Sequence, residues 1–334
     1  MMNVAVGFDT SCYTTSAAAV NEQGEVVAFA RKLLPVAAGQ RGLRQSEAVF
    51  AHVRQMPQIM EELRQQLAPQ QAKIVCVCAS AAPTDGEDSY MPVFTVGLGH
   101  ARTAAALLDV PLYTTTHQRG HIAAGLLGNS PLTQEHIALH LSGGTTDLLL
   151  CGEKTITALG SSLDLHAGQL VDRIGVKLGL GFPAGPALEK LALSCPDAPK
   201  ALIPCSMQDG DLSCHLSGAE NKVHQLLEKG LVSNEQAALE VFDLLSRTVC
   251  RMLVAAGKKT GLKQALVVGG VASSTLLRKL LHKRLQKAGS RMQVVFGDPR
   301  YSADNAAGVA AIGMQRYDKD IHEGGIPNGE IARR

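Results

Sequence analysis

Two histidines, His117 and His121, stand four positions apart in THQRGHIAAGLL, a spacing that puts both imidazoles on one face of a helix. Neighbouring imidazoles suit a divalent transition metal, although two histidines on a half-exposed helix face satisfy the same spacing. A zinc peptidase would carry its general base directly after the first histidine. Gln118 stands there instead, so peptidase chemistry is not expected. Asp304 lies in YSADNAAGVAAIG, where a terminal helix should begin, and suits either an N-cap or a carboxylate ligand. Two histidines and one carboxylate would leave coordination positions open and would accept iron, zinc or manganese.

A second set of residues could hold an anion. Ser142, Gly143, Gly144, Thr145 and Thr146 make a small, hydroxyl-rich turn, and Asp9, Thr10 and Ser11 make another near the N-terminus. Each reads as a tight hairpin or as a phosphate cradle of backbone N–H groups. Gly269 and Gly270 follow an apolar run and precede Ser274 and a helical pattern. That arrangement suits an anion or an adenosine ribose at a helix N-terminus, or simply close helix–strand packing. GLGFPAGP, with Asp172 and Arg173 upstream, is a further glycine-proline loop. The stretch RKLLHKRLQKAGSR carries Arg278, Lys279, His282, Lys283, Arg284, Lys287 and Arg291. It reads as a solvated helix face or as an RNA-phosphate footprint.

The elements that must position these residues occur twice. VAVGFD, TSCYTTSAAAV and EVVAFARKL read as a three-strand meander with a turn at NEQG. A helix is expected over 46–67, with Val49, Val53, Met56, Ile59, Met60 and Leu63 on one face. The apolar run IVCVCAS then reads as a buried parallel strand, followed by a helix over 100–108 and a strand over 110–113. HIALHLSGGTTDLLLCG and TITALGSSLD restart the meander. Helices are expected over 168–177, 187–194 and 235–256, with strands at ALVVGG and MQVVF and helices near Ser274 and after Asp304. This predicts a duplicated α/β fold of two lobes, with ligands where strand ends converge in a central cleft.

Composition narrows the class. The chain has 334 residues, 46% hydrophobic and 19% charged, with a formal net charge of +2. That is a globular protein rather than a polycation, so nucleic-acid contact would need a local patch. No leader-like start and no membrane-length apolar run is present, and the eight cysteines include no C-x-x-C pair. Reduced, largely buried thiols in a cytoplasmic protein are therefore expected.

Together, and in this order, the segments resemble the TsaD family of tRNA N6-threonylcarbamoyladenosine synthases, the former glycoproteases of M22 type. The similarity runs from about Val4 to Gln315. GFDTSCYTT is similar to the family's first strand and turn, FAHVRQMPQI to its first long helix, and THQRGHIAAGLL to its metal-binding helix. LHLSGGTTDLLL resembles its second phosphate loop and GQLVDRIGVKLGLGFPAGPALEKLA its nucleotide-site segment. VVGGVASSTLLRKLL and YSADNAAGVAAIG resemble its last two motifs.

The resemblance implies a duplicated actin-like ATPase fold of ribonuclease H-like halves. Its lobes would span 1–130, completed by 305–334, and 131–304. It implies a divalent metal, iron or zinc, on His117, His121 and Asp304. It implies an adenine nucleotide or threonylcarbamoyl-adenylate contacted by Ser142–Thr146, Asp172 and Gly185, and the turn of Gly269, Gly270 and Ser274 is expected to join them. The implied reaction is threonylcarbamoyl transfer to the adenosine beside the tRNA anticodon, with partner proteins and tRNA but no membrane or DNA. The chain reads as a divergent paralogue. APTDGEDSYMPVF replaces a G-P-G loop, and Thr145, Ser274 and Glu220 stand where the family has His, Asn and Lys. Tyr13 and Thr14 replace an acidic pair. A non-catalytic nucleotide- and metal-binding paralogue, or a small-molecule carbamoyltransferase, would share the same site.

Overall fold

Short strands rich in small and β-branched residues, β1 (Met2–Thr10), β2 (Thr14–Asn21) and β3 (Val26–Leu33), form an antiparallel meander. β1 also pairs in parallel with β4 (Ala72–Ala82), which pairs in parallel with β5 (Leu112–Thr116). The resulting order is β3-β2-β1-β4-β5. Helices α1 (Gln45–Leu67) and α2 (Phe94–Leu108) connect these strands, and α3 (His117–Leu126) follows β5 directly. The computed structural model describes residues 1–11, 13–35, 43–86, 88–129, 132–152, 155–207, 210–301 and 305–323.

The same order recurs in the second half. β6 (His136–Leu141), β7 (Thr146–Cys151) and β8 (Ile156–Ser161) form the meander, and β9 (Gln264–Val268) and β10 (Gln293–Phe296) add in parallel beyond β6. The sheet reads β10-β9-β6-β7-β8, the first sheet's pattern with equivalent strands in equivalent places. Between β8 and β9 come α4 (Ala167–Lys177), α5 (Gly185–Leu193), α6 (Ser217–Glu228) and α7 (Asn234–Thr260). α8 (Thr275–Lys287) joins β9 to β10, and α9 (Ala306–His322) ends the described chain. Two compact units result, Met1–Asn129 with Arg300–Arg334, and Ser130–Pro299.

Each unit has its own core. Phe8, Met56, Ile59 and Leu63 pack in the first, and Ile137, Leu139, Leu148, Leu170, Ile174 and Phe242 in the second. Burying each such side chain contributes roughly 1.5–3 kcal/mol. α7 is buried along most of its length, and its buried polar residues are paired. Glu240 accepts from the N–H groups of Lys200 and Leu202 and from Gln236 Nε2, while Asp243 binds Arg247 and Arg284.

Two local expectations need correction. α2 begins at Phe94 rather than at residue 100, because Gly97 and Gly99 mask the pattern of its early turns. Gly97 is glycine for space: a Cβ there would lie 2.9 Å from Thr10 Oγ1. α6, around HLSGAENK, was not expected; Ala219, Val223 and Leu226 supply its buried face. Asn305 precedes α9 and makes no side-chain cap bond. Among the described residues, no helix is long and apolar enough to cross a membrane. The seven described cysteines are free of disulfides, five of them buried.

Candidate functional site

Thr116 ends β5 and caps α3, its Oγ1 accepting from Arg119 N–H at 3.4 Å. His117 and His121 therefore occupy the first and second turns of one helix face. Their ring centroids lie 4.7 Å apart, edge to face, and Phe94 lies 5.7 Å from His117. Thr116 Oγ1 also donates to Asp85 Oδ1 at 3.0 Å, and Arg119 binds the same carboxylate through Nε at 2.9 Å and Nη2 at 2.6 Å. Gln118 N–H donates to Pro83 O at 3.0 Å. The loop at Pro83 and Asp85 is thus tied to the start of the histidine helix.

His117 is held from two further elements. Asp9, near the end of β1 and 2% exposed, presents Oδ1 and Oδ2 at 3.0 and 3.1 Å from His117 Nδ1. Ser80 of β4 donates a short hydrogen bond to Asp9 Oδ1. Asn305 donates from Nδ2 to His117 O at 2.9 Å, and the same Nδ2 approaches His117 Nδ1 at 2.6 Å. These two approaches to Nδ1 exclude each other. An ionised carboxylate can only accept, so its bond requires a proton on Nδ1, which then cannot accept from Asn305. The carboxylate decides, because a buried charge facing a lone pair costs more than a displaced amide contact. Nδ2 keeps the carbonyl as its acceptor, and the proton on Nδ1 leaves Nε2 with its lone pair, as a metal ligand needs.

Small residues make this meeting of β1, α3 and α9 possible. A Cβ on Gly7 would lie 2.4 Å from Ala306 O, and one on Gly308 only 1.9 Å from Gly120 O. The helices therefore touch backbone to backbone, which brings Asn305 onto His117. Gly7, Gly120, Gly308, Ser80 and Asn305 escape a reading of the sequence for chemistry. The one signal of the helix contact is the small-residue run AAGVAAIG.

The fit to a divalent metal rests on the donor set. Two imidazoles share a face, and one is oriented through its far nitrogen. Asn305 Oδ1, in a fully buried residue beside them, has no hydrogen-bond partner among the described residues. Asp304 itself lies outside the described residues. Among those described, no group of three or more metal-ligating side chains is assembled.

The first hairpin turn is partly committed to the protein. Thr10 Oγ1 donates to Val93 O at 2.8 Å and accepts from Gly97 N–H at 3.0 Å. Ser11 O faces His52 Nε2 at 2.8 Å. His52 is fully buried, and burial lowers its pKa against the opposing effects of the Ser11 carbonyl and Asp9.

In the second unit, Ser142 organises its turn. Its Oγ accepts from the N–H groups of Gly144 at 3.2 Å and Thr145 at 3.0 Å and bonds Thr145 Oγ1 at 2.8 Å. Thr145 Oγ1 continues to His140 Nδ1 at 3.1 Å. Thr146 Oγ1 accepts from Ala167 N–H at 2.8 Å, and Gly168 N–H donates to Ser142 O at 2.9 Å. The start of α4 lies so near that a Cβ on Gly168 would be 2.6 Å from Gly143 N. Gly143 and Gly144 are exposed, whereas three of the turn's amides, those of Ser142, Gly144 and Thr145, already have an internal acceptor.

Gly269 adopts φ +100°, and a Cβ there would lie 2.3 Å from Leu141 O, so close packing holds for this glycine. Gly270 has open space beside it. Ser274 caps α8, accepting from Leu277 N–H at 3.1 Å. Asp172 accepts from Ala184 N–H at 2.8 Å and so fixes the chain one residue before Gly185, where α5 starts. Asp164 was not singled out in the sequence. Burial acts to raise its pKa, but bonds from Ser217 Oγ and the N–H groups of Leu216, Leu165 and Ser217 prevail and hold it at about 2. Arg173 pairs with Glu220 at 2.9 Å.

The basic stretch divides in two. Arg278 donates to Ala272 O and Gly297 O and lies over Phe296, and Arg284 binds Ser246 and Asp243. Both hold the fold. Lys279, His282, Lys283, Lys287 and Arg291 remain exposed.

Comparison with known proteins adds a family and a fold. The family model for TsaD, tRNA N6-adenosine threonylcarbamoyltransferase, matches residues 36–311. The protein of that name from Symbiobacterium thermophilum is 30% identical over 334 residues, covering 95% of this chain and 94% of that protein. Its counterpart from Prochlorococcus marinus (strain MIT 9303) is 32% identical over 298 residues, covering 84% of this chain and 80% of that protein. Among solved structures, HypF from T. kodakarensis aligns with a TM-score of 0.61 at 14% identity, over 95% of this chain and 48% of that one. The ADPNP-bound activator of 2-hydroxyisocaproyl-CoA dehydratase from Clostridium difficile aligns with a TM-score of 0.51 at 11% identity, over 96% and 97% of the two chains. A ROK-family glucokinase from Streptomyces griseus gives 0.52 at 12% identity, over 93% and 99%. With the repeated sheet order, these likenesses show the duplicated actin-like ATPase fold expected from the sequence.

Proposed function

The chain belongs to the TsaD family, and we propose from that premise that it transfers a threonylcarbamoyl group from threonylcarbamoyl-adenylate to N6 of the adenosine beside a tRNA anticodon. The observation that carries this reading is the His117–His121 pair, with His117 oriented by Asp9 through Nδ1. His117, His121 and Asp304 would hold one divalent ion, iron or zinc. Asp304 is one peptide bond from Asn305, whose amide is bonded to His117. Such an ion would act as a Lewis acid on the carbamoyl group as negative charge develops on its oxygen. The exposed glycines of the Ser142–Thr146 turn let backbone approach the adenylate, and Gly185, Gly270 and Ser274 complete its contacts in the second unit. Asp172 fixes the chain that leads into Gly185. Exposed Lys279, Lys283 and Lys287 would meet tRNA phosphate. Partner proteins of the transfer complex and a cytoplasmic setting belong to the same reading.

A second reading, binding of nucleotide and metal without turnover, is favoured by one observation. Asp85 and Arg119 latch an acidic loop onto the histidine helix in place of a glycine loop. One experiment separates the two. The purified chain is incubated with threonylcarbamoyl-adenylate, tRNA and candidate partners, and the nucleosides are analysed by mass spectrometry. Modified adenosine is expected. Its absence while metal and nucleotide still bind would leave the second reading.

A further inference from the structure

We propose that Asp9 is the positioning residue of the metal site. Its carboxylate holds the His117 Nδ1–H and so presents Nε2 to the ion, and Ser80 in turn holds the carboxylate. The proposal rests on the metal reading of His117 given above. Three observations support it. The first is burial. Asp9 is 2% exposed, and its side-chain partners among the described residues are the Ser80 hydroxyl and the His117 imidazole. A buried carboxylate without a guanidinium or ammonium partner is costly. An imidazole carrying a cation on its other nitrogen becomes a stronger donor, so carboxylate and metal each improve the other's bond.

The second observation is the location of the anchor. Asp9 and Ser80 come from the strands β1 and β4, neighbours in one sheet, with Phe8 paired to Ala79 in parallel register. A ligand fixed from two paired strands is held more tightly than one fixed from its own helix. The third is the competing contact. Asn305 Nδ2 lies 2.6 Å from the same Nδ1. If Asp9 did not hold the proton there, Nδ1 would accept from Asn305 and Nε2 would carry the proton, which excludes metal. Asp9 therefore selects between two tautomers, one able to bind metal and one not. This also separates Asp9 from a phosphate cradle, since a fixed negative charge in the turn repels an anion.

The test uses the full chain and Co(II). Calorimetric titration should show one Co(II) bound by the wild type and none by His117→Ala. Asp9→Asn should weaken binding by about 10–100-fold, as loss of an outer-shell carboxylate does, and Ser80→Ala should weaken it less. Nitrogen-15 spectra of histidine-labelled, metal-free protein should show His117 as the Nδ1–H tautomer in the wild type and as Nε2–H in Asp9→Ala. Unchanged Co(II) affinity in folded Asp9→Asn, or an Nε2–H tautomer in the wild type, would overturn the assignment. Should Asp9→Ala not fold, the wild-type tautomer and the Asp9→Asn and Ser80→Ala titrations still decide. Failure of the wild type to bind any Co(II) would instead overturn the metal reading, and the positioning role with it.

Discussion

Adding one methyl group at Gly308 sets two effects of opposite sign against each other. Within a helix, glycine to alanine ordinarily stabilises by about 1 kcal/mol. At Gly308 the new Cβ would lie 1.9 Å from Gly120 O and 2.5 Å from Ala124 N, both backbone atoms that no rotamer change can move. Restoring an ordinary contact of 3.4 Å requires α3 and α9 to part by about 1.5 Å. Such a shift would break the 2.9 Å bond from Asn305 Nδ2 to His117 O. Overpacking of this kind costs about 1–3 kcal/mol, and more where rigid backbone meets the added group. Gly308→Ala should therefore destabilise by about 2 kcal/mol or more in urea unfolding, and should weaken Co(II) binding as well. Gly99, exposed in the interior of α2 with nothing within 4 Å of its Cβ position, is the control. Gly99→Ala should stabilise by up to about 1 kcal/mol. If Gly308→Ala were as stable as the wild type or more so, the backbone contact would not position the site as argued.

Three further outcomes follow from the structure. Asp243→Ala leaves Arg247 and the partly buried Arg284 without their carboxylate; unfolding should show a loss of about 3–5 kcal/mol, and a loss below 1 would refute the pairing. His136 donates from Nδ1 to Thr133 O, its Nε2 is buried without a partner among the described residues, and burial lowers its pKa. The unfolded chain thus takes up the proton first, so stability is full above about pH 6.5 and falls as pH drops toward the folded value; His136→Phe should flatten that slope. Asp85→Ala removes the Arg119 latch, so limited proteolysis should cut within residues 83–92 faster than in the wild type.

Much of the fold is legible because its signals are local. Turn signals between short strands mark both meanders, and apolar runs such as IVCVCAS and ALVVGG mark buried strands. The His117–His121 spacing already placed two imidazoles on one helix face. Where local signals fail, a neighbour in space has set the residue type. Gly97 hides the start of α2 because Thr10 requires the space. Arg278 and Arg284 count as basic surface in the sequence, yet Phe296 and Asp243 draw them into the fold.

The sequence by itself determined the repeated succession of strands and helices, the histidine pair and the family, because each depends on spacing along the chain. It could not determine what those histidines meet. Asp9 reads as part of a turn, and only the pairing of β1 with β4 and the packing of α3 and α9 around them place its carboxylate on His117. Nor could it place the Asn305 side chain, which donates to the His117 carbonyl. The physical reason is the same in both cases. Hydrogen bonds across 108 and 188 positions of sequence, to His117 Nδ1 and to its carbonyl, leave no periodic trace, and the glycines that permit them record only an absence of bulk.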